Sequence, residues 1–201
     1  MASYAAISVL AETLRQLLKN SVPTGEFEGA DFKVVRTQDF QDPNSRISLG
    51  ISIYLHRVEF NANRRNQPPR FNFVGERFRP STALDVHFLI TAWASDARRQ
   101  MDLLAWAIRT LQDTPELPAG LLNRFAGDRS PPVFEDSEAI ELVGENLTAQ
   151  DFVNLWGNTL ANQQPSISYV ARLVLIDSET PMPDAGPVQK RHFDYARPLT
   201  R

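Results

Sequence analysis

Residues 84–117 constrain what this chain can fold into more than any other stretch. Leu84, Val86, Phe88, Ile90 and Ala92 alternate with Asp85, His87, Leu89, Thr91 and Trp93, the period of a β-strand whose successive side chains point to opposite faces. The second set turns apolar toward its end, so the strand is expected to be central in its sheet. Ser95 or Asp96 then stands where a helix N-cap is needed, and Ala97, Met101, Leu104, Ile108 and Leu111 share one stripe until Pro115 and Pro118 stop the helix. Strand and helix form one compact unit without a recognisable catalytic signature.

The remaining elements fit around this unit. Ile7, Leu10, Leu14, Leu17 and Leu18 lie on one helical stripe, with Glu12, Arg15, Gln16 and Lys19 largely off it, and Pro23 and Gly25 end that helix. Residues 31–36 are a short strand candidate. Ile47, Leu49, Ile51, Ile53 and Leu55 alternate with Ser48, Gly50, Ser52, Tyr54 and His56, which predicts a strand with one buried face. A weaker strand is expected at 138–143. A helix follows at 148–160, with Thr148 as N-cap and Phe152, Leu155, Trp156 and Leu160 facing inward. Residues 167–176 are β-rich on both faces except at Arg172, which fits an interior or interface strand. Pro68, Pro69 and Pro80 make 61–80 a long loop or arm rather than ladder. Pro181, Pro183, Pro187 and Pro198 forbid regular structure after Ser178. The expected fold is α+β: one domain over 1–177, a mainly antiparallel sheet of about four strands covered mainly on one face by three helices, and an extended arm over 178–201.

A chain of 201 residues fits one such domain and can bury a real core. The absence of cysteine excludes disulfides, thiolate metal sites and a cysteine nucleophile together. No basic leader precedes the first helix and no apolar run approaches the length of a membrane span, so a soluble product of cytoplasmic synthesis is expected. A net charge of -3 supplies no global field for nucleic acid or anionic membranes.

Asp85 and His87 share a strand face, and a histidine oriented by a carboxylate can serve as a base. No placed nucleophile accompanies them, so a satisfied structural pair is the better reading. His56 is read the same way and His192 as solvated. Zinc-protease, P-loop, dinucleotide and calcium-loop motifs are all missing, and no cofactor or metal is expected. The acidic run Glu135, Asp136, Glu138 and Glu141 reads as a solvated edge. The sharpest local signal lies in 61–80, where Arg64, Arg65, Arg70, Arg77 and Arg79 face only Glu76 and are interleaved with Phe71, Phe73 and Phe78. That composition suits docking onto an acidic protein surface or stacking with single-stranded nucleic acid. Trp106 falls beside its helix stripe, which leaves an interface anchor and core burial both open. In the tail, Phe193 and Tyr195 project to one side of an extended chain, flanked by Lys190, Arg191, Arg197 and Arg201.

The segments LDVHFLITAWASD at 84–96, LLAWAIRTLQDTPEL at 103–117, ISIYLHRVEFNANRRN at 51–66 and ISYVARLVLID at 167–177 resemble the cap, or tail-terminator, proteins of contractile injection systems. The resemblance implies a structural assembly protein rather than an enzyme. It implies a ring homo-oligomer, a hexamer, that closes the baseplate-distal end of the inner tube and sheath and contacts both of those proteins. Under it the arginine-rich loop and the tail are partner surfaces, with neither nucleic acid bound nor membrane inserted. The alternatives are a nucleic-acid-binding module using 61–80 and a small hydrolase using Asp85 and His87.

Overall fold

The computed structural model describes residues 3–40, 47–64, 67–72, 74–127, 130–157 and 163–183. Helix α1 (Ala6–Asn20) buries Leu10, Leu14 and Leu18 as its stripe requires. Strand β1 (Asp31–Val35) and a 3-10 turn (Thr37–Phe40) lead to β2 (Gly50–Phe60). Two short strands, β3 (Arg70–Phe71) and β4 (Arg77–Phe78), precede the long β5 (Thr82–Trp93) and helix α2 (Ala97–Gln112). Then come β6 (Glu116–Pro118), α3 (Ala119–Arg124), β7 (Ala139–Glu145), α4 (Ala149–Trp156) and β8 (Ser166–Ile176).

The α+β class holds, but the sheet is larger and less uniform than its sequence pattern suggests. It has six strands in the order β1-β2-β5-β8-β7-β6. The β1–β2 pair is parallel and every other pair antiparallel. The described residues hold four helices rather than three. The elements missed, β6 and α3, are three and six residues long, too short to display a period; Leu117 is the one buried side chain of β6. The helices do lie mainly on one face, with α4 the exception among those described. Helices α1, α2 and α3 enclose the main core with Ile51, Ile53, Val86, Phe88, Ile90 and Tyr169. On the other face Phe40 of the 3-10 turn packs edge-on against Tyr54 and Trp156 and stacks on Trp93, with ring centroids 5.3, 5.5 and 6.2 Å away. This aromatic lid explains why Leu89, on the polar side of β5, is also buried.

One side-chain expectation changes and one left open is decided. The buried face of α2 is Gln100, Leu103, Trp106, Ala107 and Leu111, rotated from the expected stripe, and Met101 is 62% exposed. Gln100 is drawn inward because its amide donates to the Ala92 carbonyl at 2.8 Å. Trp106 is a core residue, 6% exposed, packed against Phe27 and Phe32 at 5.9 and 6.1 Å, so its ring is not an exposed anchor. Phe27 reaches it from a left-handed backbone (φ 48°), a conformation that costs a non-glycine residue of order 1–2 kcal/mol and is held here by burial of the ring. The caps follow the sequence: Asp96 accepts from the Arg99 N–H at 2.9 Å and Thr148 from the Asp151 N–H at 3.1 Å.

Gly50 makes the parallel pair possible. It sits opposite Asp31 at φ 147°, and a Cβ there would collide with the Asp31 backbone carbonyl. Gly50→Ala is therefore expected to destabilise the domain by roughly 1–3 kcal/mol in urea unfolding. Amide exchange should be faster at 31–35 than in the interior strand β5, because β1 has β2 as its one strand partner among the described residues.

Candidate docking interface

The arginine-rich segment is a built structure rather than a long loop. Its tip is made by Asn72, whose carboxamide oxygen accepts from the N–H of Val74 at 3.0 Å and of Glu76 at 2.8 Å, with Gly75 in the left-handed region at φ 87°. That turn pairs Arg70 with Phe78 and Phe71 with Arg77. Residues 179–182 then run along β4, through Arg79 N–H to the Thr180 carbonyl at 3.0 Å, Met182 N–H to the Arg77 carbonyl at 2.7 Å and a bridge between Phe78 and Pro181. The chain thus continues onto its own hairpin immediately past Ser178.

Two carboxylates mount this hairpin on the sheet. Asp177 accepts from the Ser81 hydroxyl and lies 3.7 Å from Arg70 Nε. Arg70 also donates to the Ser178 carbonyl at 3.2 Å and covers the Phe78 ring at 5.0 Å. At the hairpin root, Asp85 accepts from Asn61 Nδ2 through both oxygens at 3.0 Å and from the Leu173 N–H at 3.0 Å. Leu173 belongs to a β-bulge, two residues of β8 against one of β5, and has φ 56°. The Asp85 carboxylate satisfies the N–H that the bulge takes out of the ladder. Of the arginines singled out in the sequence, Arg70 and Arg77 are partly buried in the hairpin, whereas Arg64 and Arg79 are exposed. Phe71 and Val74 are exposed as well, and Phe78 is half-buried under Arg70. Arg65 and Phe73, and Lys190, Arg191, Phe193, Tyr195 and Arg197 of the tail, lie outside the described residues.

Asp85 and His87 do share a face, yet they do not pair. The carboxylate on His87 is Glu145 of β7, whose Oε2 is 2.9 Å from Nδ1, while Arg57 Nη2 donates to Glu145 Oε1 at 2.8 Å. Buried Ser168 donates to Glu145 Oε2 at 3.1 Å, so its 3.0 Å contact with His56 is made by the ring Nε2–H donating to Ser168 Oγ. A general base would have to accept that serine proton instead. Burial, with the neighbouring His87 and Arg57, pushes His56 down to about 4 from 6.5. The carboxyl of Glu145 is partly desolvated, which opposes ionisation, but the hydrogen bond from His87 and the charges of His87 and Arg57 hold it below the ordinary carboxylate value. The sequence could not show Glu145, because it lies 58 residues from His87. A signal for the hairpin did exist in the repeated Arg-Phe pair around an Asn-x-x-Gly turn. Among the described residues no group of acidic and histidine side chains is arranged to hold a metal, and no helix is long and apolar enough to cross a membrane.

The sequence matches the Pvc16 N-terminal domain family over residues 9–190, nearly the whole chain. The chain belongs to that family. Its fold is similar to two solved structures at 13% identity and a TM-score of 0.57 in each case. One is the sheath/tube terminator, in the extended state, of the extracellular contractile injection system PVC, with 96% of this chain and 65% of that one aligned. The other is the tube-terminating cap of the anti-feeding prophage, with 92% and 60% aligned. The chain therefore spans under two thirds of the length of either structure. No curated protein matches it. The cap-protein resemblance read from the sequence agrees with the family and with this fold.

Two outcomes follow from the geometry. Arg70→Ser should speed amide exchange across 70–78 and cost about 1 kcal/mol or less in global unfolding, since it removes hydrogen bonds and a ring contact outside the main core. The depressed His56 binds its proton more tightly in the unfolded chain, so stability from this group is complete above pH 6.5 and declines as pH falls toward about 4. The lowered Glu145 acts in the same direction at the acid end. His56→Gln should flatten the unfolding free energy across that window, as read by urea titrations from pH 7 to pH 4.

Proposed function

We propose that this chain is the cap subunit of a contractile injection particle, closing the baseplate-distal end of its tube and sheath as a ring with the six-fold symmetry of the stack. The observation that carries this is family membership across residues 9–190 together with a terminator fold over 96% of the chain. A closed ring is the economical solution at such an end: it satisfies every exposed subunit edge at once and offers no surface for another layer. The role is structural, without catalysis, and its assembly would take place in the cytoplasm before any release of the particle.

Within that role, the hairpin end of the sheet is the surface we assign to a tube or sheath partner with acidic character. Arg64 and Arg79 are exposed on the same segment as the exposed Phe71 and Val74, so that segment offers both cationic and apolar contact groups. Arg70 belongs instead to the scaffold that holds the hairpin in place. The arm beyond Pro183, with Lys190, Arg191, Phe193, Tyr195 and Arg197, supplies the second contact.

Mass photometry of the chain alone and with purified tubes, followed by electron microscopy of particle ends, tests the reading. Six-fold rings at tube ends are the expected outcome, and a chain that stays monomeric and never decorates an end overturns it. Arg64→Ser with Arg79→Ser should leave folding within about 0.5 kcal/mol, because both side chains are solvated. End-capping by that double variant should weaken and lose its decline with added salt, since the charges that salt screens are gone.

A further inference from the structure

Strand β2 outlasts its partner. Strand β1 ends at Val35, opposite Tyr54, whereas β2 continues to Phe60 in register with β5. From Leu55 to Phe60 the outer edge of β2 therefore has no ladder partner among the described residues. A bulge at His56 sets the phase of this stretch, so that Val58 and Phe60 lie opposite Val86 and Leu84 and share their face. On β5 that face is core, with Val86 and Leu84 buried, yet Val58 is 42% and Phe60 72% exposed. An unpaired backbone edge flanked by uncovered apolar side chains is a template for an added strand.

We propose that this edge accepts residues 188–196 of a neighbouring copy of the chain as an added strand, an inference that rests on the ring reading above. Three features of that segment match the edge. Its nine residues lie between Pro187 and Pro198 with no proline among them, so every one keeps its ladder N–H. Phe193 and Tyr195 alternate with His192 and Asp194, which sets two aromatic rings on one side of an extended chain, the spacing of Val58 and Phe60. The segment and its next residue carry Lys190, Arg191 and Arg197 against Asp194, and the edge presents the Glu59 carboxylate, 54% exposed and 3.5 Å from Arg57 Nε of the same strand. Reach is ample as well: the five residues from Pro183 to Val188 span up to about 17 Å when extended. A neighbour's strand would thus link each subunit to the next in one rotational sense, the head-to-tail contact that closes a ring.

The chain has no cysteine, so single substitutions report directly. Phe60→Cys protein mixed with Tyr195→Cys protein on tubes, then oxidised, should give a covalent dimer, while each variant alone should give none. Deleting 188–201 should abolish rings while leaving the melting temperature nearly unchanged, and Asp194→Pro with Tyr195→Pro in the full chain should have the same effect, because one of two adjacent N–H groups must face the edge. Rings that persist in the deletion variant overturn the proposal and leave the ring reading standing. A bond within one chain of the Phe60→Cys, Tyr195→Cys double variant, without the mixed dimer, assigns the edge to the chain's own tail and overturns the neighbour. A wild-type chain that forms no ring alone or on tubes refutes the ring reading itself, and this inference with it.

Discussion

Everything in this domain is referred to β5, a strand with both faces covered. Val86, Phe88, Leu89 and Ile90 are all at or below 2% exposure, although they point alternately to opposite sides. A strand buried on both faces needs two covers, and the covers here differ in kind. One is the apolar layer of α1, α2 and α3. The other is the aromatic lid of Phe40, Trp93 and Trp156 over Leu89, continued by the hydrogen-bonded side chains of Arg57, His87 and Glu145. Buried ionisable groups are tolerated only when they are paired, and that pairing keeps the second cover from being a weakness.

The acidic residue of the same strand links the core to the surface. Asp85 satisfies the N–H freed by the bulge at Leu173 and holds Asn61, the first residue after β2. Asp177, just past the end of β8, does the equivalent work through Ser81 and Arg70. A hairpin that buries little by itself is therefore placed by two carboxylates whose positions the sheet dictates. Interfaces gain from such preorganisation because less conformational entropy is lost on docking.

The chain shares its fold with two solved structures at only 13% identity, because a fold is set by the burial pattern of its elements more than by the identity of each side chain. The hairpin and the overhanging edge of β2 are carried on the sheet's margins, where side chains can change without disturbing the core.

The periods of α1, β2 and β5, the β-rich run of β8, the caps Asp96 and Thr148 and the α+β class were legible in the amino-acid order, because each depends on neighbours within a few residues. The resemblance to cap proteins was legible too, through the phrasing of those same strands. Position-to-position consequences were not. That β1 runs parallel to β2 depends on Gly50 meeting Asp31, and that α2 turns Trp106 inward depends on Phe27 and Phe32 arriving beside it. The partner of His87 lies on another strand, and the hairpin is anchored by residues more than 90 positions away from its own. Local sequence sets which residues can form a strand or a helix; only the packed sheet decides which charges meet and which edge is left open, because those contacts exist only once distant segments have been brought together.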